Sequence, residues 1–127
     1  PPVGQGQRVL VVDNEESLAL MSKIALERLG YVVDAFTSPS LALDAVRTDP
    51  KKYSLVLTDL AMPRMNGTEL ASRLTALRPE LPVILTTGFS ASLTLDSLRK
   101  FGIREMALKP ITYQKLGELV HRLMSPG

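Results

Sequence analysis

Leu55-Val56-Leu57-Thr58-Asp59 is an apolar run that stops at an acid. Three other runs end in the same way at a polar residue: Val9–Val12 at Asp13, Val83–Thr86 at Thr87, and Met106–Leu108 at Lys109. Short runs without polar alternation mark strands covered on both faces, as in a parallel sheet packed between helices. In such sheets ligands bind beyond the carboxyl ends of the strands. If the four runs are parallel strands of one sheet, two carboxylates, a hydroxyl and an ammonium share one crevice. Two carboxylates at about 4 Å repel by about 4 kcal/mol for an effective dielectric near 20, so something positive must stand between them. Lys109 and a hard cation bound through oxygen are the natural partners, and Mg²⁺ is such a cation. The crevice suits a phosphoryl group and a divalent cation. Asp59 ends a central strand and is the candidate nucleophile, with Thr87 and Lys109 on phosphoryl oxygens.

Working outward, strand-like and helix-like periods alternate five times. Arg8–Val12 reads as the first strand, and Glu16–Leu29 as a helix with Leu18, Met21, Ile24, Ala25 and Leu29 on one face, stopped by Gly30. Tyr31–Phe36 resumes as strand, and Ser38-Pro39 supplies a helix cap followed by proline at the first helical position. That helix buries Ala42, Ala45 and Val46. Ser54–Thr58 is the third strand, and a loop over Asp59–Gly67 leads to a helix with Leu70, Leu74 and Leu77 at i, i+4, i+7. Val83–Thr86 precedes a weaker helix carrying Ala91, Leu95 and Leu98, stopped near Gly102. Ile103–Leu108 is the fifth strand, and Thr112 caps a last helix with Leu116, Leu119, Val120 and Leu123 inward. Five such units define an α/β domain with a mainly parallel sheet covered on both faces.

With 127 residues and 45% hydrophobic content, one domain is expected, spanning residues 8–124. Pro1–Gln7 reads as a linker or an expression remnant, and Ser125–Gly127 as a tail. The absence of cysteine excludes disulfides, thiolate metal sites and a cysteine nucleophile. No apolar run approaches the roughly 20 residues of a membrane helix, and no secretion signal opens the chain, so a cytoplasmic location is the expectation. The 15 cations and 13 anions leave a formal charge of +2 spread along the chain. Pairs such as Lys51-Lys52 and Arg99-Lys100 then read as solvated helix ends, and nucleic-acid binding by this chain alone is not expected. His121, beside Arg122, reads as a solvated side chain.

The chain resembles the receiver domains of two-component response regulators. The matching stretches are Val11-Val12-Asp13-Asn14-Glu15, Leu57-Thr58-Asp59-Leu60-Ala61-Met62-Pro63, Asn66-Gly67, Thr86-Thr87-Gly88 and Lys109-Pro110, which together span nearly all of residues 8–124. The resemblance implies a flavodoxin-like (βα)5 doubly wound fold with strand order 2-1-3-4-5. It implies that Asp59 accepts a phosphoryl group from a phosphohistidine on a histidine kinase or histidine phosphotransfer domain. It also implies a Mg²⁺ (or Mn²⁺) site made by Asp13, Asn14, Asp59 and the backbone carbonyl of Ala61, and a cis Lys109–Pro110 bond. Thr87 would move toward phosphorylated Asp59 and alter the surface of the fourth helix, fifth strand and fifth helix, where a downstream partner reads it. Such a domain catalyses its own phosphorylation and dephosphorylation and is not a metabolic enzyme. A hybrid sensor histidine kinase is the favoured parent.

Departures from the family pattern qualify this picture. The family usually carries a second acid where this chain has Asn14, which should weaken Mg²⁺ binding unless Glu15 or Glu16 reaches in. Met106 replaces the usual Tyr or Phe switch residue, and methionine fills space without offering a ring with two discrete positions. Phe89, two residues after Thr87, should hinder water attack on a phosphoryl group. The alternative function is a pseudo-receiver, an interaction module that keeps the fold without using phosphorylation.

Overall fold

A computed structural model describes residues 3–88 and 93–124. Expectations for Phe89 and Ala91, and for the extreme ends of the chain, fall outside the described residues.

The element order is β1 (Arg8–Val12), α1 (Glu16–Arg28), β2 (Val32–Phe36), α2 (Pro39–Thr48), β3 (Leu55–Asp59), α3 (Gly67–Leu77), β4 (Val83–Thr87), α4 (Leu95–Arg99), β5 (Ile103–Leu108) and α5 (Tyr113–Met124). The five strands form one parallel sheet in the order β2-β1-β3-β4-β5. This is the expected flavodoxin-like topology. β3 and β4 each run one residue further than their apolar stretches indicate, so Asp59 and Thr87 belong to the strands.

Alternation along the strands divides the core. Leu10, Val12, Val56, Val83 and Leu85 point to the side covered by α2, α3 and α4, while Val9, Val11, Leu55, Leu57 and Ile84 meet α1 and α5. Both faces of the central strands are therefore removed from water, as their unbroken apolar character requires. The capping signals hold where they are strongest. Ser38 Oγ accepts from Leu41 N at the start of α2, with Pro39 at the first turn, and Thr112 Oγ1 accepts from Lys115 N before α5. Gly30 ends α1 at φ +98, where a Cβ would also press on the carbonyl oxygen of Gly4.

Several expectations need correction. In α1 the buried residues are Ala19 and Leu26, while Met21 and Ile24 are 64% and 42% exposed. Of the anticipated apolar face, Leu29 is buried and Ala25 packs against the core, whereas Met21 and Ile24 lie along the flank toward α5. In α2, Leu43 is buried and Ala45 only half-buried, and in α3 Leu77 is exposed beyond the buried Leu70 and Leu74. Within the described residues α4 covers only Leu95–Arg99, opened by reciprocal hydrogen bonds between Thr94 and Ser97. Gly67 answers to packing. A Cβ there would press on the Asp59 carbonyl oxygen and come within 2.6 Å of Leu85 Cδ1, so the missing side chain lets the start of α3 pack directly behind Asp59.

Residues before β1 are tied to the domain. Gly4 N donates to Leu29 O, Gly6 N donates to Gly30 O at 2.8 Å, and Val32 N donates to Gln7 O at 3.0 Å. No helix among the described residues is long and apolar enough to cross a membrane.

Candidate functional site

Four polar side chains follow from the strand ends. Asp13 comes directly after β1, Asp59 closes β3, Thr87 closes β4 and Lys109 comes directly after β5. Because β1, β3, β4 and β5 are consecutive neighbours in the sheet, these residues stand side by side along its carboxyl edge. β1 and β3 flank the point where the strand order reverses, which is where doubly wound sheets open a crevice.

Backbone bonds fix the rim. Asp13 N donates to Phe36 O at 3.1 Å, Leu60 N to Thr86 O at 2.9 Å, and Lys109 N to Thr87 O at 2.8 Å. The Lys109–Pro110 bond is cis, as the resemblance implies. From this position Lys109 Nζ reaches both acids, at 3.0 Å from Asp13 Oδ2 and 3.0 Å from Asp59 Oδ1. Asp13 also accepts a 3.0 Å hydrogen bond from Glu15 N through its other oxygen. Asp13, Asp59 and Lys109 thus meet through their side chains, and Thr87 stands at the neighbouring strand end, joined to Lys109 through its backbone carbonyl.

Burial sharpens the electrostatics. Asp13, Asp59 and Thr87 are buried, at 6%, 5% and 3% exposure. Burial disfavours the charged form of Lys109, but the hydrogen bonds and charges of Asp13 and Asp59 outweigh it and hold the ammonium pKa above its ordinary value. One ammonium between two carboxylates leaves the cluster with one net formal negative charge. Asn14 and Ala61 are exposed. Glu15 and Glu16 are exposed as well, and among the described residues no group of three His, Cys, Asp or Glu side chains gathers as a metal-binding cluster.

The loop after Asp59 is built by its own contacts. Gly67 N donates to Leu60 O at 2.9 Å, and Asn66 caps α3 by accepting from Glu69 N at 3.0 Å. Met62 is buried in the core and Met65 packs against it, while Arg64 takes the left-handed φ of 69. Met106 is half-buried against the same core, and Leu108 is exposed on the edge strand.

Sequence reasoning missed a groove that leaves the site between α1 and α5. Its volume is about 780 Å³, and Asp13, Thr86 and Lys109 form its inner end. Met21, Ile24, Ile111 and Tyr113 supply apolar walls, and Arg28 also lines it. The available signal was the excess of apolar residues in α1, where Leu18, Ala19, Leu20, Met21, Ile24, Ala25 and Leu26 exceed what one face against a sheet can bury.

Comparison with known proteins agrees with this architecture. The family model described as "Response regulator receiver domain" matches residues 9–121. The chain belongs to this family. It is 36% identical over 85 residues to the response regulator receiver protein CpdR of Brucella abortus, covering 67% of this chain and 69% of that protein. It is 32% identical over 111 residues to the two-component response regulator ARR10 of Arabidopsis thaliana, covering 87% of this chain but only 20% of that relative. Among solved structures, a CheY-like receiver domain protein of Methanospirillum hungatei superposes with a TM-score of 0.85 at 27% identity, over 94% of each chain. The response regulator TrrA of Thermotoga maritima, in complex with Mg²⁺ and BeF, superposes with a TM-score of 0.81 at 28% identity, over 92% of this chain and 98% of that one.

Proposed function

We propose that this domain accepts a phosphoryl group on Asp59 from a partner phosphohistidine, in a Mg²⁺-dependent reaction, and relays the modification by a change of surface. The observation that carries this reading is the single ammonium of Lys109 bridging Asp13 and Asp59 at 3.0 Å each. A pseudo-receiver would have no need to keep two buried acids and a shared lysine at the edge of the sheet, since such a cluster stabilises a fold poorly.

In the step proposed, an Asp59 carboxylate oxygen forms a bond to phosphorus as the phosphorus–nitrogen bond breaks. The electron pair leaves with the imidazole nitrogen, which then takes a proton from water. Lys109 and Thr87 hold phosphoryl oxygens, so positive charge and a hydroxyl donor stand where negative charge accumulates. Asp13, Asn14, Asp59 and the Ala61 carbonyl offer only oxygen atoms, and the acids leave a residual negative charge, so this donor set fits Mg²⁺, with Mn²⁺ as a substitute. Such an ion, when bound, supplies charge that neutralises the phosphoryl oxygens. The complex of TrrA with Mg²⁺ and BeF supports the same chemistry here.

The donor docks in the groove between α1 and α5. This groove is continuous with the site through Asp13, Thr86 and Lys109, and its exposed Met21 and Ile24 suit an apolar helix face of a histidine-bearing partner. The output partner is assigned to the opposite flank, formed by α4, β5 and α5, where Leu108 is exposed.

Phosphoramidate, whose phosphorus–nitrogen bond stands in for phosphohistidine, tests the reading. With Mg²⁺ it should label the natural protein and leave Asp59→Asn unlabelled. Absence of labelling in both would favour the pseudo-receiver.

A further inference from the structure

The end of the sheet opposite Asp59 carries a face rich in cations. Lys51 lies in the α2–β3 loop, Arg99 and Lys100 at the end of α4, and Arg104 early in β5. None of these four makes an ion pair among the described residues, whereas Arg8, Arg47, Lys52, Arg73, Arg78, Lys109 and Arg122 all do. They are also spatially linked. Arg78 donates to Pro50 O at 3.2 Å and binds Glu80 at 2.9 Å, while Arg104 donates to Glu80 O at 2.8 Å. Lys51 acts electrostatically on the same Glu80 carboxyl. Between these loops lies a cleft of about 390 Å³ lined by Pro79, Arg99, Gly102, Ile103 and Arg104. Two residue pairs that look like separate solvated helix ends in the sequence are therefore parts of one surface.

We propose that this face binds an acidic polypeptide segment, with carboxylates received in the cleft between Arg99 and Arg104. Guanidinium groups take carboxylates in a planar, two-bonded geometry, and a pair of them across a cleft selects for acidic side chains. The cleft is concave and of side-chain dimensions, unlike the flat contact a lipid surface needs. None of the exposed large apolar side chains among the described residues lies on these loops, so a bilayer would find no anchor. A nucleic acid is disfavoured by the burial of Tyr53, which removes a ring on which a base would stack. The occupied face lies away from Asp59, so the phosphoryl donor and the acidic segment bind at the same time.

The test uses the natural protein and a fluorescein-labelled oligoglutamate, read by fluorescence anisotropy. Arg99→Ser with Arg104→Ser should weaken binding by about tenfold or more, and rising salt should weaken the natural protein's binding. Lys23→Ser with Lys115→Ser removes the same charge elsewhere and should change affinity less than about twofold. Thermal melts of both double variants confirm that each is folded. Equal losses in the two double variants, or no binding of oligoglutamate, would overturn the proposal. So would tighter binding to phosphatidylglycerol vesicles or to a DNA duplex than to the peptide.

Discussion

Lys109 reaches across β4 to place its Nζ 3.0 Å from Asp59 Oδ1, while the same nitrogen holds Asp13 Oδ2 at 3.0 Å. The lysine therefore has two roles that oppose each other. It neutralises the acids when no cation is present, and it competes with any cation for the same oxygens.

Replacing Lys109 by methionine separates these roles. Without metal, two buried carboxylates lose their shared partner, and chemical denaturation should show a loss of about 2 kcal/mol, discounted for the partial exposure of the lysine. Added Mg²⁺ should recover most of that loss and bind more tightly than to the natural protein, as calorimetry would register. Labelling by acetyl phosphate should nevertheless slow by roughly tenfold or more, because the phosphoryl oxygens lose a cation. A variant that binds Mg²⁺ more weakly would contradict the competition.

Asn14→Asp restores a full charge beside the cation. One added charge about 4 Å from a divalent ion in a water-like medium contributes about 2 kcal/mol, so Mg²⁺ affinity should rise by roughly thirtyfold. Equal affinities in the two proteins would show that the exposed position 14 does not take part.

Ile24→Asp, or Met21→Asp, tests the groove. Both side chains are exposed, so stability should change by less than about 1 kcal/mol. Transfer from a phosphorylated donor domain should fall at least about tenfold, from the cost of burying a charge against an apolar helix face, while labelling by acetyl phosphate is unchanged. Loss of both reactions would place the defect in the site instead.

A second polar cluster sets acid stability. Tyr53 Oη donates to Asp34 Oδ2 at 2.6 Å, and Arg8 pairs with Asp34 Oδ1 at 3.1 Å. Burial raises the Asp34 carboxyl, but the Tyr53 hydrogen bond and the charges of Arg8 and Lys52 outweigh it and hold the pKa below 3.8. Burial, then the same hydrogen bond, push the Tyr53 phenol well above its ordinary value. A depressed carboxyl stabilises the fold fully above its unfolded pKa and loses that contribution as pH falls toward the folded value. Asp34→Asn should therefore reduce stability near neutrality and flatten the decline below about pH 4. Tyr53→Phe should cost about 1–2 kcal/mol at neutral pH in urea titrations. An acid limb identical to that of the natural protein in Asp34→Asn would refute the linkage.

How much of this was legible in the sequence depends on the range of the interaction. Strand ends at Asp13, Asp59, Thr87 and Lys109 could be read because apolar runs announce buried strands, and parallel topology brings their carboxyl ends together. The need for glycine at 67 was not legible, because its contact, the Asp59 carbonyl behind it, depends on how α3 docks and not on local turn chemistry. Part of the α1 face was misassigned for a similar reason. Helical periodicity gives the spacing of apolar residues but not which neighbour they meet, and here Met21 and Ile24 line the groove toward α5. Asp34 and Tyr53 carried no motif at all, since their bond joins an edge strand to the residue two before β3.

The most direct test of the account locates the modified residue chemically. After incubation with acetyl phosphate and Mg²⁺, borohydride reduces an aspartyl phosphate to homoserine, which peptide mass spectrometry places in the sequence. Homoserine at position 59, absent when Mg²⁺ is chelated, is the predicted result. Homoserine at another aspartate, or none at all under conditions that label an established receiver domain, would contradict it.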